Sequence, residues 1–235
     1  MDAHRAGYIR RVPHRSARIF ALTAALLGLP VLLAVLSTGQ LDLHATINRV
    51  HAAWADPLFI YGTHLADGLV ALAMGLVLLF FRWRWFLLFT IGTAGSAIVV
   101  QFLKHAVFAD HDRPSMFMDG MPGLRLVPGV EMLHHNSFPS GHSACAFSVC
   151  FALSVIIGRG GWAAVLALIA AMLAWSRVYL SQHFAEDTLC GAFIGTIGAW
   201  LAYRWLYVGA FSRRPWLDGR PLRPGYRRPG SADHE

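Results

Sequence analysis

Six side chains draw attention because each lies at, or just beyond, the end of an apolar run: Lys104, Arg113, His142, Arg177, His183 and Asp187. His183 and Asp187 are four residues apart and would share one face of a helix. A carboxylate there can accept from one ring nitrogen and leave the other free and more nucleophilic. His142 is then available as an acid that protonates a leaving oxygen. Arg113 and Arg177 offer planar forks suited to phosphoryl oxygens, and Lys104 adds a point charge. Three cations around one anion stabilise the charge that spreads over a phosphoryl transition state; without an anion they repel one another. Ser140 is placed to cap a helix that starts at His142, and Gly141 leaves the backbone open to close approach. A helix N-terminus with free N–H groups binds anions.

The elements that must position these residues are membrane helices. The 235 residues are 56% hydrophobic and 14% charged, with a mean hydropathy of +0.48; a soluble domain carries about 25% charged residues. The apolar residues fall into six runs: Ile19–Thr38, Pro57–Phe81, Trp85–Leu103, Ser140–Gly158, Trp162–Leu180 and Asp187–Val208. Crossing a bilayer core takes roughly 20 helical residues. The expectation is one all-α, six-transmembrane-helix bundle over 19–208, with a basic N-terminus at 1–18 and a basic, disordered tail at 209–235. The first run is too long for a signal-peptide core and lacks a cleavage site, so it reads as a retained helix. Between the first two runs, Leu43, Ile47, Val50 and Trp54 recur at helical spacing and predict an amphipathic helix lying in the interface.

Arginine placement orients the bundle. Fifteen basic residues fall at the termini and in the 82–84 and 159 turns, whereas the opposite face holds only Arg49, Lys104, Arg113, Arg125 and Arg177. The positive-inside rule then puts both termini in the cytoplasm and the chemical residues at the outer face of the inner membrane. The net charge of +7 reflects this distribution, and no basic face with stacking groups suggests nucleic acid.

Three blocks make the sequence recognisable. Lys104 is followed by Arg113-Pro114; Pro139-Ser140-Gly141-His142 comes next; and five residues separate Ser176-Arg177 from His183, with Asp187 four positions beyond. These blocks resemble the type 2 phosphatidic acid phosphatase superfamily, which also includes vanadium haloperoxidases. The resemblance spans roughly 57–208. One departure concerns spacing: the family places six residues between Lys and Arg, but eight separate Lys104 from Arg113, and the six-residue position is Ala106. The resemblance implies metal-independent chemistry with no cofactor. His183 would attack phosphorus to give a phosphohistidine, oriented by Asp187; His142 would protonate the leaving group and later activate water. Lys104, Arg113, Ser140, Gly141 and Arg177 would hold the phosphate. The implied substrate is a lipid phosphate or diphosphate in the bilayer: a polyprenyl diphosphate, a phosphatidic acid or phosphatidylglycerol-phosphate type lipid, or lipid A. Lipid-to-lipid phosphotransfer and anionic lipid transport are the competing activities.

His64 and Asp67 fall inside the second apolar run, three apart and on one helix face. Asp67 is expected either to support a basic site residue or to make a structural hydrogen bond. His105, His111, His134 and His135 are expected to line the outer loop without a catalytic role, and Cys145, Cys150 and Cys190 to be buried hydrophobes.

Overall fold

The computed structural model describes the backbone of residues 3–222 and the side chains from residue 13. The described residues form eight α-helices: α1 (Ala3–Ser37), α2 (Gln40–Asn48), α3 (Ala55–Gly62), α4 (Gly68–Leu78), α5 (Trp83–Phe102), α6 (Gly141–Ile157), α7 (Gly160–Tyr179) and α8 (Ala185–Tyr203). The all-α expectation holds among the described residues. Four segments among the described residues are long and apolar enough to cross a membrane: Pro13–Ser37, Trp83–Val107, Gly160–Tyr179 and Ala185–Val208. The expected second span is broken, with Ala55–Ala66 and Gly68–Leu78 meeting at 50°. A count of six crossings takes this bent pair and the 17-residue α6 as one crossing each.

Helix α6 is the axis of the bundle. Eleven of its 17 residues are buried, and α1, α5, α7 and α8 pack around it. Phe20 of α1 packs edge-to-face on Phe147 and Phe151, which anchors the first helix from Ser16 onward. The α6–α8 contact depends on two glycines one turn apart. A Cβ on Gly195 would run into the carbonyl oxygen of Ala144 and lie 2.9 Å from its Cα, and one on Gly191 would run into the carbonyl oxygen of Ser140 and lie 3.0 Å from Cβ of Ser143. Small residues let membrane helices approach this closely. The backbone of Ser140 also donates to the carbonyl of Asp187 at 2.9 Å, so the N-termini of α6 and α8 are fixed side by side. Lys104 follows α5 and Arg177 ends α7, which brings four helix ends to one end of the bundle.

Three expectations need correction. The connection after α1 does not present Leu43, Ile47, Val50 and Trp54 as one apolar face. Helix α2 stops at Asn48, Val50 and Trp54 are exposed, and its buried residues are His44 and Asn48. Their polar partners on Ser181 and Arg125 outweigh the apolar periodicity. Second, the tail expected from 209 is folded at its start. Ala210–Arg213 and Pro215–Asp218 form 3-10 turns, with Leu217 fully buried. Arg84 holds them, donating to Asp218 at 2.8 and 2.9 Å, to the carbonyl of Ser212 at 3.1 Å and to that of Leu206. The expected disorder of 223–235 lies outside the described residues, as do residues 1–2. Third, Asp67 is not inside a helix. It is the extended residue (φ −73°, ψ 145°) between the 3-10 turn Thr63–Ala66 and α4.

Candidate active site

His183 sits in the loop between α7 and α8, two residues before the helix starts, and is 2% exposed. Its pairing with Asp187 therefore arises from capping geometry rather than from two positions on one helix. Asp187 lies in the first turn of α8. Its Oδ2 accepts from the Phe184 backbone N–H at 2.9 Å and faces His183 Nδ1 at 3.2 Å. A third donor, the hydroxyl of Ser137, also reaches Oδ2. With Nδ1–H directed at Asp187, Nε2 of His183 carries the free lone pair. Burial pushes the imidazole well below the usual histidine range, and the cations of Arg113, Lys104 and Arg177 push it further. His183 is consequently neutral at physiological pH, as a nitrogen nucleophile must be.

The loop that carries His183 is held from several sides. The carbonyl of Arg177 accepts from the N–H groups of Gln182 (2.9 Å) and His183 (3.2 Å). Ser181 adopts a left-handed conformation (φ 52°), which a non-glycine residue keeps only where its surroundings enforce it. Its hydroxyl meets His44 Nε2 at 3.2 Å and Asn48 Nδ2 at 3.1 Å, both from α2. His44 also packs edge-to-face on Phe184, with ring centroids 5.3 Å apart.

The three cations occupy different settings. Arg113 is buried, and its guanidinium donates to the carbonyls of His135 (2.9 Å), Gln182 (2.9 Å) and Asn136 (3.4 Å). Its Nη1 also lies 3.4 Å from Nε2 of His183. Arg113 thus ties the outer loop to the His183 loop while presenting its charge at the nucleophilic nitrogen. Arg177 is buried too; its Nη1 donates to Thr63 at 3.0 Å, but its Nε–H is buried with no partner among the described residues. An unpaired buried guanidinium donor is costly. Lys104 is half-buried in the π-helical turn Leu103–Val107. That wider turn takes up part of the unusual Lys104–Arg113 spacing and leaves Lys104 close enough for its charge to act on His183. Ala106 is exposed.

At the N-terminus of α6, Ser140 is the cap residue, accepting from the Ser143 backbone at 3.4 Å. A Cβ on Gly141 would meet only Val100 Cγ1, at 3.8 Å. His142 follows, its Nε2 2.7 Å from Asp67 Oδ1. His134 and His135 bond to Ser115 and Asp112 in the outer loop, and His105 and His111 are exposed. Every site residue expected from the sequence thus lies at the same end of the bundle. Ser137, Ser181, His44 and Asn48 were not anticipated. Ser137 stands two residues before Pro139 in the second block, while the other three form pairs across more than 130 residues, which no local pattern signals.

Comparison with known families matches residues 83–209 to the PAP2 superfamily, more than half of the 235 residues. The chain belongs to the PAP2 superfamily. Among PAP2 relatives, it is 30% identical over 168 residues to YbjG of Escherichia coli (strain K12), a candidate undecaprenyl-diphosphatase, covering 68% of this chain and 78% of that one. Among solved structures, LpxE of Aquifex aeolicus superposes with a TM-score of 0.63 at 26% identity, covering 72% of this chain and 98% of LpxE. A transmembrane PAP2-type phosphatidylglycerolphosphate phosphatase from Bacillus subtilis shares the fold, with a TM-score of 0.58 at 21% identity, covering 83% of this chain and 98% of the other. The chain is a multi-pass membrane phosphatase of the PAP2 lipid-phosphate class.

Proposed function

We propose that the chain removes the terminal phosphate from a polyprenyl diphosphate or a glycerolipid phosphate at the extracytoplasmic face of the membrane, through a phosphohistidine on His183. The observation that carries this reading is Arg113 Nη1 lying 3.4 Å from Nε2 of His183, with the charges of Lys104 and Arg177 also acting on that imidazole and the buried Nε–H of Arg177 without a partner among the described residues. A phosphoryl group supplies the negative charge that this arrangement lacks. YbjG, matched over most of its length, favours the diphosphate among the candidate lipids.

The roles follow from the atoms. Lys104, Arg113 and Arg177 bind the phosphoryl oxygens, with the Ser140–Gly141 end of α6 as a further anion site. Nε2 of His183 attacks phosphorus while Asp187 holds Nδ1–H and stabilises the cation that forms. The phosphorus–oxygen bond to the lipid breaks, and His142 protonates the departing oxygen where that oxygen needs a proton. Water then attacks the phosphohistidine; His142, neutral after giving its proton to the leaving oxygen, or to solvent where the lipid departs as an anion, accepts the water proton, and the electron pair of the phosphorus–nitrogen bond returns to His183. No step uses a metal ion. The 15-to-5 asymmetry of basic residues supports cytoplasmic termini, six crossings over 19–208 and a site open to the outer leaflet, where the lipid arrives laterally. The test is phosphate release from lipid in detergent with a chelator present. Full activity in chelator, lost in His183→Ala, is expected; chelator-sensitive turnover or an active variant would overturn the proposal.

A further inference from the structure

The second histidine of the site has a carboxylate of its own. Asp67 occupies the N-cap position of α4, where an aspartate ordinarily accepts from the first free N–H groups of the helix, yet it makes no such bond. Both of its oxygens are used elsewhere. Oδ1 lies 2.7 Å from Nε2 of His142, and Oδ2 lies 2.8 Å from Nδ1 of His64. The break in the second span makes this possible, because the extended backbone at Asp67 points its side chain across to the start of α6. The same broken segment supplies Thr63, which accepts from Arg177 at 3.0 Å. His64 is exposed, its side chain 66% accessible.

With Nε2 held by Asp67, Nδ1 is the ring nitrogen of His142 left for a departing oxygen. We propose that Asp67 is the positioning residue for the proton donor, holding the ring of His142 and favouring its doubly protonated form, and that His64 fixes Asp67 from the opposite side. This inference rests on the reading of His142 as the acid. The site then contains two aspartate–histidine pairs, Asp187 with the nucleophile and Asp67 with the acid. His142 enters as the imidazolium; when the ester bond breaks, the electron pair stays on the leaving oxygen, the Nδ1 proton moves to it, and His142 is left neutral with its Nε2–H on Asp67. Asp67 keeps the Nε2–H as a hydrogen bond and is not protonated. On hydrolysis Nδ1 takes a proton from water as the new oxygen–phosphorus bond forms and the bond to His183 breaks, which restores the starting state.

The leaving group separates this role from a structural one. Phosphatidic acid releases an alkoxide, which needs a proton. Farnesyl diphosphate releases a phosphate monoester, which leaves as an anion without one. Asp67→Asn is expected to lower kcat on phosphatidic acid by about 10–100-fold, the lower part of what general acid catalysis contributes, with KM nearly unchanged. On farnesyl diphosphate the attack step, read as the pre-steady-state burst of farnesyl phosphate, stays within about 3-fold of wild type because that departure needs no proton. His64→Ala, at an exposed position that tolerates substitution, shows the same split with a smaller amplitude. A farnesyl phosphate burst slowed as much as turnover of phosphatidic acid in both variants, or unchanged turnover of phosphatidic acid in Asp67→Asn, would overturn the inference. An active His183→Ala would instead overturn the functional proposal beneath it, so the two failures are distinguishable.

Discussion

Replacing Ser137 with Ala removes one of three donors from Oδ2 of Asp187 and leaves the other two, from Phe184 at 2.9 Å and His183 at 3.2 Å. Ser137 is 1% exposed, so no bulk water takes its place. The hydroxyl also lies 3.4 Å from Nδ1 of His183, which makes it a spacer that keeps carboxylate and imidazole in register. A hydrogen bond to a charged group contributes about 1.5–3 kcal/mol. If that contribution acts through the orientation of the nucleophile, kcat falls by about 10–100-fold, since each 1.36 kcal/mol is a factor of ten. Asp187→Asn should cost more, toward about 10⁴-fold, because the amide can favour the wrong tautomer. The assay is steady-state phosphate release from a lipid phosphate in mixed micelles, with the melting temperature recorded in parallel. A Ser137→Ala enzyme with wild-type kcat would refute the reasoning. So would a rate loss restored fully by assaying at a temperature where the variant is folded.

Three other outcomes follow. Burial and the cations of Arg113, Lys104 and Arg177 hold His183 well below the usual histidine range, so the nucleophile stays neutral and activity persists on the acid side. Arg113→Gln removes one cation, lets the imidazole gain its proton at higher pH, and should move the acid limb of kcat/KM upward; an unmoved limb counts against His183 as the titrating nucleophile. Asn48→Ala strips partners from the hydroxyl of Ser181 and from the N–H and carbonyl of Arg125, and should destabilise the fold by about 1–3 kcal/mol, read as a lowered melting temperature with loss of kcat. Gly195→Val drives a side chain into the backbone of Ala144 and should separate α6 from α8 at a cost of about 1–3 kcal/mol or more; since Ser140 is bonded to Asp187 across that contact, activity falls with stability.

The parts legible in the sequence were those written in local patterns. Apolar runs marked the helices because burial in lipid requires unbroken apolar stretches. Ser140 announced a helix start by its side chain, and arginine spacing ordered the ends. Polar partners distant in sequence were not legible. Apolar periodicity pointed α2 at the membrane through Leu43 and Ile47, but the residues it buries are His44 and Asn48, whose partners lie far along the chain. The break at Asp67 carries no proline, and only Gly62 and Gly68 flank it. The pattern therefore read as continuous, although both oxygens of the carboxylate hold histidines instead of capping a helix. Arg113 was expected as a phosphate fork; in the structure its nitrogens mostly hold backbone carbonyls, and the free buried donor belongs to Arg177. The composition of 210–218 suggested disorder, yet the charge of Arg84 and the burial of Leu217 fold it against α5.

The central claim is that His183 takes the phosphoryl group. The direct measurement uses a prenyl diphosphate radiolabelled at its terminal phosphate, quenched in alkaline detergent, which preserves a phosphorus–nitrogen bond. His142→Ala should slow release from the enzyme more than attack on this substrate, because the leaving phosphate needs no proton whereas the attacking water needs a base. Label should then accumulate on the peptide containing His183 and be absent from His183→Ala. Turnover without label at His183, or label retained when His183 is replaced, would contradict the account.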